Sequence, residues 1–248
     1  MSMNYQELVE HLLKKYGKAK YDYYLTTECR TRNKKLSRTA EGLFCHHIDE
    51  DKYYFLSDPN FARSAPFECQ KAERLVYCNH IEHLLLHIQI GKDLYWEKHT
   101  SLESIDQLQC FITPGVIFVC HDVNELFNQN GSQVPWIANC YHAIENNFDD
   151  YIKIIKAFIG YLDEHYSGSK QIRNLYVGQK FHNKILGEGI VTELRTEGIL
   201  TIATVQYEKA IKYVSSDPYY RAIDNIRKKL SSNRNSECIQ CVYDALLK

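Results

Sequence analysis

The chain has 248 residues and a mass of 29.1 kDa, with 30 Lys+Arg against 31 Asp+Glu and a net charge of −1. That length fits one large domain or two small ones at roughly 150 residues each, and the near-neutral total excludes a uniformly basic nucleic-acid coat. A composition of 44% hydrophobic and 25% charged residues excludes a disordered chain.

No apolar run approaches the ~20 residues that a bilayer span takes, and the opening MSMNYQELVEHLLKK lacks an apolar signal region. A soluble, cytoplasmic protein with no membrane partner is expected. The nine cysteines are odd in number and irregularly spaced, which in the cytosol reads as reduced, mostly buried thiols. Cys238 and Cys241 form a lone C-x-x-C pair, whereas a structural zinc site takes two such pairs or one pair with two spaced histidines.

Residues 4–16 carry Tyr5, Leu8, Val9, Leu12, Leu13 and Tyr16 at helical spacing, with Gly17 as the stop. Residues 18–40 are polar and irregular, with room for a short strand. GLFCHHI (42–48) reads as a strand ending in His46 and His47, and the segment with Glu82, His83 and His87 as a helix. Residues 99–168 contain Thr-Pro-Gly, a predicted strand VIFVC (116–120), and Asp122-x-x-Glu125 as a capping box opening a short helix. They end in a helix over 148–166, where Phe148, Tyr151, Ile152, Ile155, Phe158, Ile159 and Leu162 form one apolar stripe that reads as core. SGSK (167–170) reads as a linker. Residues 171–248 begin with strands and end in two helices, the first announced by Asp217-Pro218.

The neutral total hides an uneven charge distribution. Residues 14–38 hold nine basic residues, including Arg30, Arg32, Lys34, Lys35 and Arg38, against two acidic ones, net +7. Residues 99–169 are net −7, and residues 170–248, with thirteen basic and eight acidic residues, are net +5. A basic cluster of this kind either docks phosphates with counterion release or is a solvated face. The five residues named are the candidate nucleic-acid contacts.

Five of the 11 histidines, His46, His47, His80, His83 and His87, fall between residues 46 and 87. His83 and His87 stand at i and i+4 and share one helix face, which suits two ligands on one divalent ion. Adjacent on a strand, His46 and His47 point to opposite sides, so one can hold a metal while the other addresses substrate. His80 reads as an accessory or as a plain core histidine.

A strand ending in His-His, then a loop, then a helix carrying E-H-x-x-x-H resembles the ββα-metal nucleases, the HNH or His-Me finger family, over about residues 41–90. The resemblance implies that His47 is the general base and that His46, His83 and His87 bind one divalent ion. Mg2+ is expected first, with Mn2+, Ni2+ and Zn2+ as alternatives. The family's central Asn, nine residues before the first helix histidine, is here Arg74, which is a candidate phosphate holder instead. The implied chemistry suits these side chains. A neutral imidazole with an ordinary pKa of ~6.5 accepts a proton near neutrality, and a divalent ion clamps phosphate and steadies a leaving oxygen.

Residues 178–191, with Gly178, His182, Gly187, Gly189 and Val191 in the pattern G-x-x-x-H-x-x-x-x-G-x-G-x-V, resemble the opening of small Tudor or SH3-like barrels, and LTIATVQY and IKYV are the strands that would complete one. Such barrels occur at helicase tails and in RNA-polymerase-binding factors, so this part implies a docking module for protein or duplex DNA. His182 is expected to be a barrel residue rather than a ligand.

The expectation is therefore an α+β protein. An HNH-like core embedded in helices (1–168) carries a basic N-terminal segment and an acidic helical extension. An SH3-like barrel followed by helices occupies 171–248. The expected activity is metal-dependent cutting or nicking of duplex DNA, in restriction, phage defence or a mobile element. The alternatives are a non-catalytic DNA-binding or polymerase-interacting protein and an RNase with the same site. Recognition sequence, pathway and oligomeric state are not legible in the sequence.

Overall fold

Asn4 opens the first helix. Its side chain accepts the Glu7 N–H, and the Glu7 carboxylate accepts the Asn4 N–H, so two helix-end donors are satisfied reciprocally. Helix α1 (Tyr5–Tyr16) buries Tyr5, Val9 and Leu12 and stops at Gly17, whose φ of +77° suits glycine. The predicted helix is present with its predicted stop. These elements belong to a computed structural model that describes residues 3–93, 113–128, 132–166, 175–183, 187–197, 200–208 and 211–215.

Residues 18–43 run largely without regular structure, yet they are tied down. The Tyr23 N–H donates to the Gln70 carbonyl at 2.8 Å, the Asn33 N–H donates to the Tyr23 carbonyl at 2.8 Å, and Tyr24 forms an isolated bridge with Arg32. Ala19, Tyr23, Tyr24, Leu36, Leu43, Leu75 and Tyr77 belong to one core cluster. Two of the tyrosines in it have their hydroxyls satisfied: Tyr24 donates to the Ser57 carbonyl at 2.7 Å and Tyr77 to the Leu36 carbonyl at 2.9 Å.

Strands β1 (Phe44–His47) and β2 (Leu75–Cys78) pair antiparallel, with His46 opposite Val76 and His47 opposite Leu75. A 3-10 turn (Ile48–Asp51) follows β1, and the short helix α2 (Pro59–Ala62) starts on an Asp58 cap with Pro at its first turn. β2, buried along its whole length, runs into α3 (His80–Gly91) through a second capping box formed by Asn79 and Glu82. Glu82 also receives Lys15 at 2.7 Å and the Tyr16 hydroxyl at 3.2 Å, which seats α1 beside α3.

The strand predicted at 116–120 is not a strand. Thr113–Asn128 is one helix, α4. Pro114 stands in its first turn, and the buried Val116, Val119, Cys120, Val123 and Leu126 recur at helical spacing. The β-branched composition suggested a strand, but the three- and four-residue spacing decides the conformation. Asp122 and Glu125 therefore lie inside a helix and do not open one. Helix α5 (Pro135–His142) and helix α6 (Phe148–Tyr166) follow. Tyr151, Ile155 and Phe158 of the predicted stripe are buried.

The C-terminal strands β3 (Lys180–Asn183), β4 (Gly187–Glu197), β5 (Leu200–Tyr207) and β6 (Ile211–Ser215) form an antiparallel meander in chain order. Val191, Ala203, Val205 and Tyr207 are its core. Gly189 is required there, because a Cβ would come within 2.5 Å of the Tyr207 ring. Among the described residues the two edge strands, four and five residues long, pair only with their sequence neighbours. The expected barrel is therefore an open sheet. The expected linker 167–170, the helices after Asp217, and Cys238 with Cys241 lie outside the described residues.

The chain divides into two compact units, Met1–Asp93 with Phe118–Ile154 and Leu94–Ile117 with Ile155–Lys248. The six described cysteines are all free, and no described helix is long and apolar enough to cross a membrane.

Candidate metal centre

Strand alternation sends His46 and His47 to opposite faces of β1. His46 turns toward the α1–α3 side, with its ring edge-on to those of His83 and His87 at centroid distances of 5.2 and 5.3 Å. α3 stacks His83 and His87 one turn apart, Nε2 to Nε2 3.1 Å. One ligand nitrogen from each of the three histidines lies within 4.8 Å of the other two. The predicted trio converges.

Hydrogen bonding decides which His46 nitrogen is available. The Tyr5 hydroxyl donates its single proton to the Ile48 carbonyl at 2.9 Å and lies 3.0 Å from His46 Nε2. With that proton committed, Nε2–H is the donor to the Tyr5 oxygen, and Nδ1 keeps the lone pair. His46 is 1% exposed and its Nδ1 has no hydrogen-bond partner. A buried acceptor left open, with the opposite ring nitrogen held by an oxygen, is the arrangement of a metal-binding histidine. Burial pushes His46 and His87 well below the ordinary histidine pKa, and His83 to about 4, so protons do not compete for the lone pairs at neutrality. Two ligands of one zinc-like ion stand ~3.0–3.4 Å apart, from right-angle to tetrahedral geometry with bonds of ~2.1 Å. The 3.1 Å His83–His87 spacing falls in that range. The residues present therefore fit a divalent ion.

His47 looks the other way. Its Nε2 lies 2.9 Å from Gln70 Oε1, and Gln70 Nε2 donates to the Leu56 carbonyl at 3.2 Å. That second bond fixes Gln70 Oε1 as the acceptor, so His47 Nε2 carries the proton and Nδ1 is the basic atom. Tyr23 packs on the imidazole at 4.3 Å between ring centroids, and Arg32 stacks on Tyr23 at 4.8 Å. His47 is 1% exposed, and burial pushes its pKa to about 4.

Glu50 is the residue that the sequence reading missed. The 3-10 turn after β1 folds it back so that Oε2 is 3.6 Å from His46 Nδ1 and 4.0 Å from His87 Nε2, while Oε1 is 3.9 Å from His47 Nδ1. Its side chain is 13% exposed, and burial raises its pKa to about 8. Tyr5 and Gln70, also missed, are the outer partners that orient His46 and His47. The i+3 and i+4 spacing of Glu50 from the histidine pair is the one trace of this in the sequence.

Arg74 does not join the cluster. It forks onto Asp49, Nε to Oδ2 at 2.6 Å with a second bond to Oδ1, and so anchors the turn that carries Glu50. Of the basic candidates, Arg30, Arg32, Lys34 and Lys35 are exposed, and Arg32 stands beside His47 through Tyr23. Arg38 is half-buried, donating to the Tyr16 carbonyl at 2.7 Å and to Glu41, and it stacks on Tyr77. His80 packs on Phe44 at 4.2 Å and is core. His182 is exposed and pairs with Glu188 at 2.6 Å.

Comparison with protein-family models, with curated proteins and with solved structures returned no match.

Proposed function

We propose that the chain is a metal-dependent endonuclease of the HNH type that hydrolyses phosphodiester bonds of duplex DNA. The observation that carries the reading is the convergence of His46, His83 and His87 at the strand–helix junction, with His47 next in sequence and its Nε2 held by Gln70, which leaves Nδ1 as its basic nitrogen. The three histidines would hold one divalent ion, which when bound neutralises charge on the scissile phosphate and stabilises the leaving oxygen. His47 Nδ1 would accept the proton of the attacking water, with Gln70 holding the other nitrogen so that the lone pair faces the reacting side. The products are a phosphate monoester and a free hydroxyl, one O–H of water having been divided between them. Arg32 and the exposed Arg30, Lys34 and Lys35 would track the backbone phosphates. The open C-terminal sheet would serve as a docking surface for protein or duplex DNA.

One observation favours a second reading, a non-catalytic DNA-binding or polymerase-interacting protein that keeps the finger as scaffold: His47 is only 1% exposed. Supercoiled plasmid incubated with the protein and Mg2+, Mn2+ or Zn2+, with and without chelator, separates the two. Metal-dependent nicking supports the nuclease, and a gel shift without cleavage supports the scaffold. A parallel RNA substrate identifies an RNase.

A further inference from the structure

We propose that Glu50 is a fourth protein ligand, closing His46, His83 and His87 into a three-imidazole, one-carboxylate site that selects a Zn2+-class ion over Mg2+. This deepens, and rests on, the reading of the three histidines as a metal centre.

The carboxylate is placed as a ligand would be. Oε2 lies 3.6 Å from His46 Nδ1, the buried atom with no hydrogen-bond partner, and 4.0 Å from His87 Nε2. Ligands of a tetrahedral ion with bonds of ~2.1 Å stand ~3.4 Å apart, so the first separation would contract by ~0.2 Å and the second by ~0.6 Å. The Glu50 side chain is 13% exposed, and its neighbours include the His46, His47 and His87 imidazoles and the Leu56 N–H. Carboxylates in the same turn are treated differently. Asp49 has Arg74 and Lys52 as counter-charges, whereas the ionisable partners nearest the Glu50 oxygens are the His46, His47 and His87 imidazoles, and a cation among them would add a counter-charge.

The donor set also speaks to the ion. Mg2+ takes oxygen ligands and retains waters, while imidazole nitrogens suit Zn2+ and its neighbours in the first transition row. Four protein donors close the shell in the resting state. A phosphate oxygen must then either displace Glu50 or enter at a fifth position. Glu50 Oε1, 3.9 Å from His47 Nδ1, links the ligand shell to the proposed base.

The test titrates the metal-stripped full chain with Zn2+ by calorimetry and records the visible spectrum of the Co2+ form, for wild type, Glu50→Gln and His83→Ala. The expected result is one Zn2+ site in the wild type and a loss of at least about 100-fold in Glu50→Gln, beyond the 10–100-fold that outer-shell partners cost. The Co2+ spectrum should be of the intense four-coordinate kind in the wild type and altered in Glu50→Gln. Identical Co2+ spectra in the two proteins overturn the proposal whatever the affinities. If His83→Ala binds Zn2+ like the wild type, the metal centre itself falls, and the nuclease reading with it. If His83→Ala loses Zn2+ and Glu50→Gln matches the wild type, only the role of Glu50 falls. Should Glu50→Gln fail to fold, Glu50→Ala takes its place in the same titration: a Co2+ spectrum identical to that of the wild type overturns the proposal, and an altered one supports it, while displacement of wild-type Zn2+ by millimolar Mg2+ overturns the selectivity.

Discussion

Replacing Tyr5 by Phe tests the orientation of His46 with the removal of a single oxygen. The ring stays, together with its edge-on packing against His46 at 6.2 Å. Two bonds go: the Ile48 carbonyl loses its donor and His46 Nε2–H loses its acceptor. Each group lies in the buried interior, where an unpaired donor or acceptor costs about 1–3 kcal/mol. His46 can recover part of that cost by moving its proton to Nδ1, toward Glu50, but that tautomer occupies the lone pair needed for a metal. Zn2+ affinity is therefore expected to fall ~10–100-fold, which is ~1.4–2.7 kcal/mol. The unfolding free energy of the metal-free protein should fall by about 1–3 kcal/mol. Calorimetric Zn2+ titration and urea unfolding in chelator measure the two effects separately, with far-UV dichroism to check the fold. A Tyr5→Phe protein that binds Zn2+ and unfolds like the wild type would refute the tautomer argument, because His46 would then be oriented by something other than the tyrosine.

Three more outcomes are expected. His47→Ala should keep Zn2+ binding and the fold while losing cleavage by about 10²–10⁴; full activity in that variant would assign the proton transfer to another group. Replacing Arg32, Lys34 and Lys35 by Ala should weaken DNA binding for all sequences alike and flatten the dependence of log K on log salt by about 0.9 per lost phosphate contact. An unchanged slope would move the DNA surface to residues 170–248, net +5. His80 is buried against Phe44, and burial pushes its pKa to about 3, below its unfolded value of ~6.5. Its contribution to stability is complete above pH ~6.5 and is lost as pH falls toward 3, at up to about 1.4 kcal/mol per pH unit. Urea midpoints of the metal-free protein between pH 7 and pH 4 should show a shallower slope for His80→Leu, and an unchanged slope would show that His80 takes up its proton in the folded state.

Local signals in the sequence were reliable where one interaction decides an element. Gly17 ends α1, the apolar stripe of α6 marks its buried face, and GLFCHHI yields β1. The strand expected at 116–120 failed because composition and periodicity disagreed. Val, Ile and Phe favour strands when half-buried on a pleated surface, but Val116, Val119, Cys120 and Val123 share one helix face, and Pro114 starts that helix. The barrel expected after residue 171 is legible strand by strand in β3 to β6. Closure is not, since it depends on pairing between edge strands that are distant in sequence, and no local residue pattern encodes that.

The histidines of the site were legible for the same local reason: an i, i+4 pair on a helix and a doublet at a strand end constrain their own geometry. Their partners were not. Tyr5 stands 41 residues from His46 and read as part of an apolar stripe. Its hydroxyl acquires a role only once α1 lies beside β1. Glu50 sits in the run Asp49-Glu50-Asp51, where nothing in the sequence sets it apart from its two acidic neighbours. Had β1 continued straight, a residue four places on would lie ~13 Å from His46. The 3-10 turn instead brings its carboxylate to 3.6 Å. The turn is held by the Arg74 fork onto Asp49, in the place where a phosphate ligand was expected. Two adjacent carboxylates are thereby given opposite environments. Asp49 is neutralised by the Arg74 guanidinium, and Glu50 is turned toward three imidazoles. A cation among those imidazoles would supply Glu50 with the counter-charge that Arg74 gives Asp49.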